Sequence, residues 1–347
     1  MMYPRIFAVV GLLWISSVAL TAHAQFANET REVTRKGTTA AEFLSIPVGA
    51  RATGMGGAVT AVTADATAMY WNPAGLGLLD RTSVAAEHAT WLADVNFNYA
   101  AAAFPTRFGT LGVAITSMST PKMQVTTAAD QEGTGETFTA SSYALTFSWG
   151  RRLTDSFSFG ASAKMINEQI WHSSARGLAL DLGTVFVTPF RGIRLGASIS
   201  NFGTKMQMSG DDLLVVADID PVNRGNNESN RAYLKVDSFN LPLIMRIGLA
   251  GELYETDQVR CTLSMDVLSP NNSNQFANVG MEIGFLGDLV TIRGGYSELF
   301  LNDSIRSITL GGGIRYDFGL MGIVMDYAFE RHRYFNDVNR LSMALLF

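Results

Sequence analysis

The chain is poor in cysteine, in charge and in long apolar runs. Cys261 is the single cysteine among 347 residues, so no internal disulfide can form. Charged residues make up 16% of the sequence, against about 25% in a typical soluble domain. Beyond residue 24, no apolar run reaches the roughly 18 residues that mark a membrane helix. The formal net charge of −5 leaves no basic footprint, so we expect no nucleic acid partner.

The N-terminus has the pattern of a secretory signal peptide. Arg5 precedes an apolar run at 6–20, and a small-x-small cleavage site ends at Ala24. We therefore predict a signal peptide at 1–24. The polar, unpatterned stretch at 25–44 is interpreted as a leader into the segment that follows.

Residues 45–80 form a glycine-rich segment that carries few charges. Its glycines stand too close together for one regular helix or strand. A helical turn is expected from Asp65 to Tyr70, and Asn72-Pro73 ends it. The backbone groups of such a segment need partners, so we predict a plug enclosed by the remainder of the chain. The motif residues of this plug are Gly49, Arg51, Gly54, Met55, Gly56, Gly57, Asp65, Asn72, Pro73 and Gly75.

From residue 81 onward, apolar residues alternate with small or polar ones. Tyr143, Leu145, Phe147 and Trp149, for example, alternate with serine, alanine and threonine. A period of two indicates strands with one apolar and one polar face. Fourteen strands are predicted, at 82–92, 94–104, 109–119, 138–150, 155–169, 176–188, 191–202, 238–252, 257–269, 274–286, 288–298, 304–317, 319–330 and 337–347.

Strand lengths and connections predict a membrane barrel at 81–347. Each strand has at least the roughly 9–11 residues that a tilted strand needs to cross a bilayer. An even strand number is typical of single-chain outer-membrane barrels, as are short inner turns. If the first strand runs outward, the two longest connections, 120–137 and 203–237, are both outer loops. The predicted fold class is therefore all-β, a 14-stranded antiparallel transmembrane barrel with an N-terminal plug in its lumen.

Charged residues also occur in the inward phase of the strands. They are Lys164, Asp181, Arg194, Arg246, Asp266, Glu282, Arg293, Arg315, Asp326 and Glu330. Two interpretations stay open: paired charges that hold the plug, or a polar path for a ligand.

The plug itself carries one arginine, Arg51. An unpaired charge enclosed by the wall would be costly, so we predict that Arg51 bonds an inward carboxylate. The candidates are Asp266, Glu282 and Asp326. Alternatively, Arg51 reaches water at the periplasmic mouth and pairs with nothing.

No residue pattern indicates catalysis, a metal or a cofactor. The glycines at 54–57 lack the third glycine and the preceding strand of a dinucleotide site. His88, His172 and His332 show neither metal-type spacing nor a Ser-His-Asp arrangement. We therefore predict a protein that is not an enzyme and holds no cofactor.

Residues 43–76 resemble a known family. The matching pieces are Phe43-Leu44-Ser45-Ile46, Gly49-Ala50-Arg51-Ala52-Thr53-Gly54-Met55-Gly56-Gly57-Ala58, Asp65 and Trp71-Asn72-Pro73-Ala74-Gly75-Leu76. This segment is similar to the PorV/PorQ family, which belongs with the FadL-like fourteen-stranded outer-membrane barrels. One departure is Ala64, which stands where such proteins often carry the first residue of an acidic pair. Over the rest of the chain the resemblance depends on strand count.

The resemblance implies a role in type IX protein secretion. PorV-like barrels receive folded cargo through its C-terminal domain and deliver it to a surface attachment complex. The expected location is the outer membrane, and the expected partners are its lipid, secreted cargo proteins and other secretion components. The apolar run Leu213, Leu214, Val215 and Val216 in the longest loop favours a partner surface there.

Two other classes of function are alternatives to secretion. FadL-like relatives pass hydrophobic small molecules through a plugged lumen, and this transport is the alternative function. A soluble β-sandwich binding module is disfavoured, because the predicted inner turns are all short and the two longest connections both fall on the opposite side. The terminal aromatic residue, Phe347, also resembles the insertion signal of outer-membrane barrels.

Overall fold

Fourteen antiparallel strands close into a barrel in the computed structural model of the protein, which describes residues 35–347 apart from 219, 221, 223–228 and 303. The barrel strands are β1 Ser83–Thr90, β2 Asn96–Thr106, β3 Gly109–Ser119, β4 Ala140–Thr154, β5 Phe157–Ile170, β6 Ser173–Val187, β7 Arg194–Gly203, β8 Ile244–Glu255, β9 Val259–Pro270, β10 Phe276–Phe285, β11 Val290–Leu299, β12 Arg306–Phe318, β13 Met321–His332 and β14 Val338–Leu346. Strands that follow one another along the chain are paired, and β1 closes the ring with β14, with Ser83 opposite Leu346. The predicted all-β barrel of fourteen antiparallel strands is confirmed.

The strand bounds differ most from the predicted ones at β8. The prediction starts at 238, but the strand begins at Ile244, because Pro242 has no backbone N–H to give to the ladder. Ahead of that proline, Phe239 and Asn240 form only isolated bridges. The chain therefore enters β8 later than its apolar pattern indicates.

The two ends of the barrel differ in the length of their connections. The turn end, defined here by the connections 107–108, 155–156, 188–193, 256–258, 286–289 and 319–320, carries short links only. The loop end, at the opposite end of the strands, carries the connections 120–139 and 204–243. This asymmetry is the one that the sequence predicts.

Side chains on the outer face are mostly apolar and exposed, whereas those on the inner face are mostly small or polar. On β4, Phe147 is 51% exposed, but its neighbours Thr146 and Ser148 are buried. On β13, Met325 is 50% exposed and Asp326 is buried. An apolar belt of this kind suits a hydrocarbon environment.

The N-terminal segment, defined here as 36–82, holds four short helical elements before β1. They are the 3-10 turns Glu42–Ser45 and Pro73–Leu78 and the α-helical turns Ala50–Gly54 and Ala68–Trp71. No helix in the described part of the chain is long and apolar enough to cross a membrane. The predicted signal peptide and the first part of the predicted leader lie outside the described residues.

The N-terminal segment packs against inner faces on opposite parts of the barrel. Ala50–Gly54 contacts β11–β14, and Pro73–Leu78 contacts β3–β6. Burial begins at Ala41, ahead of the predicted start of this segment at residue 45. The helical turn predicted from Asp65 begins only at Ala68, because Asp65 Oδ1 accepts a hydrogen bond from the Thr67 amide (2.7 Å) and forms an Asx turn instead.

Candidate functional site

Glycines on the inner wall let the backbone of the N-terminal segment approach the strands. A Cβ on Gly183 of β6 would lie 2.0 Å from Asn72 Oδ1. On the other side, a Cβ on Gly280 of β10 would lie 2.2 Å from the Met55 carbonyl oxygen. The same close approach occurs at Gly150, Gly160, Gly196 and Gly295. Any other residue at these positions would push the segment away from the wall.

The glycines of the predicted plug motif also occupy positions that exclude a side chain. Gly56 has φ +66°, and its Cβ would lie 2.9 Å from the Tyr296 amide of β11. A Cβ on Gly75 would lie 2.1 Å from the Thr63 carbonyl oxygen. The remaining motif glycines, Gly49, Gly54 and Gly57, are buried as well. The lack of space for a side chain thus accounts for the glycines of this motif.

Asn72 ties the N-terminal segment to the barrel through its side chain. It is fully buried, and its Nδ2 donates to the carbonyl oxygens of Thr60 (2.8 Å) and of Thr184 on β6 (3.0 Å). Its Oδ1 accepts from the Ala74 amide (3.1 Å), which starts the turn at Pro73. One amide side chain therefore fixes two parts of the segment and one strand.

Three carboxylates of the wall bind backbone amides of the same segment, and one of them is Glu168 of β5, which accepts from the Ala41 amide (3.1 Å). Asp266 of β9 is fully buried and accepts from the amides of Val59 (3.0 Å) and Thr60 (2.9 Å) and from the Thr60 hydroxyl (2.6 Å). Glu87 of β1 accepts from the Gly49 amide. Charged acceptors of this kind form stronger hydrogen bonds than neutral ones.

Arg51 joins the N-terminal segment to a buried charge cluster. Its guanidinium makes a bidentate pair with Glu282 of β10, at 2.9 and 3.1 Å. Glu282 also accepts from Arg293 (2.6 Å) and Arg260 (2.9 Å), and Arg293 donates to Asp326 (2.6 Å). The Glu282 carboxylate raises the pKa of Arg51, so this guanidinium keeps its charge. The predicted pairing with an inward carboxylate is observed, and Glu282 is the partner.

A second buried cluster surrounds Arg340 of β14, which the sequence analysis missed. Its Nη1 donates to the Pro47 carbonyl oxygen and to Glu87 Oε1, both at 2.8 Å. Its guanidinium carbon lies 4.9 Å from the centre of the Trp91 ring. Strand phase would have located Arg340, because Leu341 and Met343 mark the outward phase of β14.

Lys164, on β5, forms a third buried group with the two strands that follow. Its Nζ lies 2.7 Å from Asp181 Oδ2 on β6 and donates to Asn201 Oδ1 on β7 at 2.7 Å. The backbone N–H of Asn201 in turn donates to Asp181 Oδ1 (2.8 Å), and Asn201 has a positive φ of +63°. This group lies where the ladder between β6 and β7 shifts register.

Eight of the ten predicted lumen charges are buried: Lys164, Asp181, Arg246, Asp266, Glu282, Arg293, Asp326 and Glu330. Arg194 is half-buried and pairs with Glu252. Arg315 differs, because it lies near the end of β12, is exposed and donates to Asp317 (2.8 Å) on the same strand. Arg315 has the inward phase of its strand, but it lies at the rim of the barrel, where the wall does not bury it.

Two cavities lie at opposite ends of the barrel, each between the N-terminal segment and the strands. The cavity at the turn end has a volume of about 450 Å³ and is lined by Arg51, Glu282, Arg260 and Asp288, among others. The cavity at the loop end has a volume of about 150 Å³ and is lined by Tyr70, Trp71, Arg246 and Glu330, among others. Charged residues therefore line both spaces.

The predicted partner loop contains a small hairpin outside the barrel sheet. Its strands Leu214–Ala217 and Asn230–Tyr233 pair with Leu214 opposite Tyr233. Val216 is 70% exposed and Tyr233 is 65% exposed, and Leu214 is exposed on the same face. Leu213 and Val215, also predicted to face a partner, are half-buried.

The described residues hold no group of three or more His, Cys, Asp and Glu side chains suited to a metal ion. The three histidines among the described residues lie apart: His88 is on β1, His172 is bonded to Asp212 outside the strands, and His332 is buried at the end of β13.

Comparison with known proteins assigns the chain to a family. The sequence model of the "Uncharacterised protein family (UPF0164)" matches residues 15–205, which is more than half of the chain. The protein belongs to this family. No curated protein matches the sequence.

Solved structures similar to this UPF0164 member include a FadL homologue, a toluene transporter and a hydrocarbon channel. The Pseudomonas putida toluene transporter TodX is 12% identical, with a TM-score of 0.55 over 86% of this chain and 97% of that chain. The CymD monoaromatic hydrocarbon channel is 12% identical, with a TM-score of 0.55 over 86% and 96%. A Pseudomonas aeruginosa FadL homologue is 11% identical, with a TM-score of 0.50 over 84% and 95%. The UPF0164 chain therefore has the FadL-like barrel fold.

Proposed function

We propose that this protein is a non-enzymatic outer-membrane barrel that binds secreted proteins at its loop end and acts in type IX secretion. The observation that supports this proposal is the occupied interior. Close backbone contacts at Gly183 and Gly280 fix the N-terminal segment to opposite walls, and Arg51 ties it to Glu282. A segment held in this way acts as a plug, so specificity belongs to the outer surface rather than to a path through the lumen.

The outer-membrane location is supported by the barrel's exterior. A closed ring of strands leaves no unpaired edge, and an exposed apolar belt surrounds it, as in Phe147 and Met325. Long loops in such barrels face outward, so the loop end is the surface that meets secreted proteins.

The hairpin of the longest loop is the proposed contact for cargo. Leu214, Val216 and Tyr233 form one exposed face that is largely apolar, and Arg231 shares it. Aromatic and apolar side chains next to an arginine are typical of the centre of a protein interface. The expected partner is the C-terminal domain of a secreted protein, as the resemblance to the PorV/PorQ family implies.

Transport of hydrophobic small molecules is the second candidate, because the similar barrels include a toluene transporter and a monoaromatic hydrocarbon channel. Pockets for apolar ligands are lined mainly by apolar side chains. The larger cavity is lined by the charged residues Arg260 and Glu282 but also by the apolar residues Val59, Val62 and Ile314, so its lining alone does not separate the two candidates.

Deleting residues 211–234 tests the proposal, because the hairpin is separate from the barrel sheet. We expect surface delivery of a secreted protein with its C-terminal domain, and its co-purification with the barrel, to fall at least about tenfold, as for loss of an interface hot spot. Deleting 122–138, the tip of the other long loop, is the matched control and leaves delivery intact. Unchanged delivery in the 211–234 deletion, together with toluene uptake into liposomes by wild type, would favour transport instead.

A further inference from the structure

The charges at the turn end are distributed unevenly around the ring of strands. The strand ends and turns of β2–β7, at 104–110, 149–159 and 186–193, hold four arginines and one carboxylate. Those of β8–β13, at 253–260, 284–291 and 315–322, hold four carboxylates and two arginines, and both of these arginines are paired with carboxylates. One side of the turn end is therefore basic and the other side is acidic.

Three arginines of the basic side, Arg107, Arg151 and Arg191, are defined here as the arginine arc, with one member from each connection. All three are exposed. None of them forms an ion pair or a side-chain hydrogen bond within the described residues. Asp155, the one carboxylate of these connections, is not within ion-pair distance of any of them. The arc thus presents three positive charges that the described part of the chain leaves without counter-charges.

An exposed apolar side chain stands beside each arginine of the arc. Phe108 is 64% exposed, Phe190 is 68% exposed and Leu153 is 53% exposed. The guanidinium carbon of Arg107 lies 4.6 Å from the Phe108 ring centre, and that of Arg191 lies 6.0 Å from the Phe190 ring centre. Aromatic rings next to basic side chains that reach toward water are typical of the interface between a membrane and water.

Arg151 shows on which side of the wall the arc lies. It follows Phe147 and Trp149 in the outward phase of β4, and it pairs across the ladder with Phe159 of β5. The Trp149 ring contacts the Phe159 ring at 6.4 Å between centres, and Trp149 Nε1 donates to the Phe108 carbonyl oxygen (3.1 Å). The arc therefore lies just beyond an aromatic band at the edge of the apolar belt, at the level of lipid headgroups.

We propose that the arginine arc binds the headgroups of anionic phospholipids in the periplasmic leaflet of the membrane. Short turns of such barrels face the periplasm. A guanidinium matches the oxygens of a phosphate, and basic residues close to an anionic lipid surface are attracted to it. The exposed phenylalanines favour lipid over an acidic protein, because the same bilayer accepts their rings.

The acidic side of the turn end repels the same lipids, so their enrichment is confined to β2–β7. The arc and the 211–234 hairpin lie at opposite ends of the barrel. The lipid site is therefore independent of the proposed role in secretion.

The test is fluorescence quenching of the folded full chain in phosphatidylcholine vesicles that contain brominated phosphatidylglycerol, with brominated phosphatidylcholine as the reference. Trp149 is the reporter, and subtracting the emission of a Trp149→Phe version of each protein isolates its signal. Wild type should prefer phosphatidylglycerol about fivefold at Trp149, as expected for one arginine at an anionic surface. Replacing Arg107, Arg151 and Arg191 together by Gln should abolish this preference.

The matched control removes the same charge at the other end of the strands, by Gln at three exposed arginines, Arg176, Arg331 and Arg333. It should keep the wild-type preference at Trp149, because the length of a strand exceeds the Debye length of about 10 Å at 0.1 M salt.

Equal quenching by the two lipids in wild type would overturn the proposal and favour an acidic protein as the partner of the arc. An unchanged preference in the triple arc variant would also overturn it. So would an equal loss in the control, because net charge rather than the arc would then attract the lipid. If the arc variant does not fold, wild type in 1 M salt decides, where the Debye length is about 3 Å. The preference should fall there, and a preference that high salt leaves unchanged rejects the arc.

Discussion

At the scale of single residues, the interior is held by charges that have several partners. Glu282 is the centre of the largest cluster, since Arg51, Arg260 and Arg293 all donate to it. A carboxylate with three guanidinium partners can lose one and stay paired. Losing the carboxylate instead would leave three cations facing one another.

We predict that Arg51→Ala loosens the N-terminal segment without unfolding the barrel. It removes two charge-assisted hydrogen bonds from the segment, which costs about 1.5–3 kcal/mol. Protease sensitivity of 36–80 and single-channel conductance should both rise. Arg81→Ala, which breaks an exposed pair with Asp317, is the control. A variant with wild-type conductance and an equally protected segment would show that Arg51 is not a latch.

Glu282→Gln should be more damaging than Arg51→Ala. The neutral amide leaves Arg293 and Arg260 without their shared carboxylate, and breaking a buried pair typically costs about 3–5 kcal/mol. We expect a lower yield of folded barrel and a lower urea midpoint, measured by the loss of heat-modifiable gel migration. Equal midpoints for the two variants would mean that the cluster does not stabilise the wall.

At the scale of elements, each strand has two faces with opposite requirements. On β13, Ile323 belongs to the outer set and Val324 lines the cavity at the turn end. We predict that Ile323→Arg costs about 1–2 kcal/mol and lowers barrel yield, because it places a charge in the hydrocarbon layer near the turn end, below the cost of a midplane position. Val324→Ser should leave the yield unchanged. Equal yields of the two variants in outer-membrane fractions would contradict this phase assignment.

The close approach of the N-terminal segment to the inner glycines can also be tested. Gly183→Ala puts a methyl group against Asn72 and Pro73, so the segment must shift, at a cost of about 1–3 kcal/mol. Protease protection of 36–80 should fall although the strand remains. Gly312→Ala is the matched control, since its nearest neighbour would lie 3.6 Å away. Protection that is equal in the two variants would show that the close approach is not required.

At the scale of the whole molecule, closure of the sheet is the property that gel migration tests directly. The ladder between β1 and β14 leaves no free barrel edge. We predict heat-modifiable migration on gels and recovery of the protein in the outer-membrane fraction. A product that is soluble in the periplasm after signal cleavage would refute the membrane location.

The number of strands, their two faces and the two different ends of the barrel could all be predicted from the sequence. Periodicity of two is a local property, and the short turns are local too, so no tertiary information was needed. It also indicated which charges point inward, as Asp266 and Glu282 illustrate. The late start of β8 was missed because the effect of Pro242 competes with an apolar pattern.

The partners of these inward charges could not be predicted from the sequence, because they depend on how the barrel closes. Arg51 could have met Asp266, Glu282 or Asp326, and ring closure brought it to Glu282. Asp266 instead bonds the backbone amides of Val59 and Thr60. Pairing across a barrel depends on shear and on the path of an irregular segment, and neither is a local property of the chain.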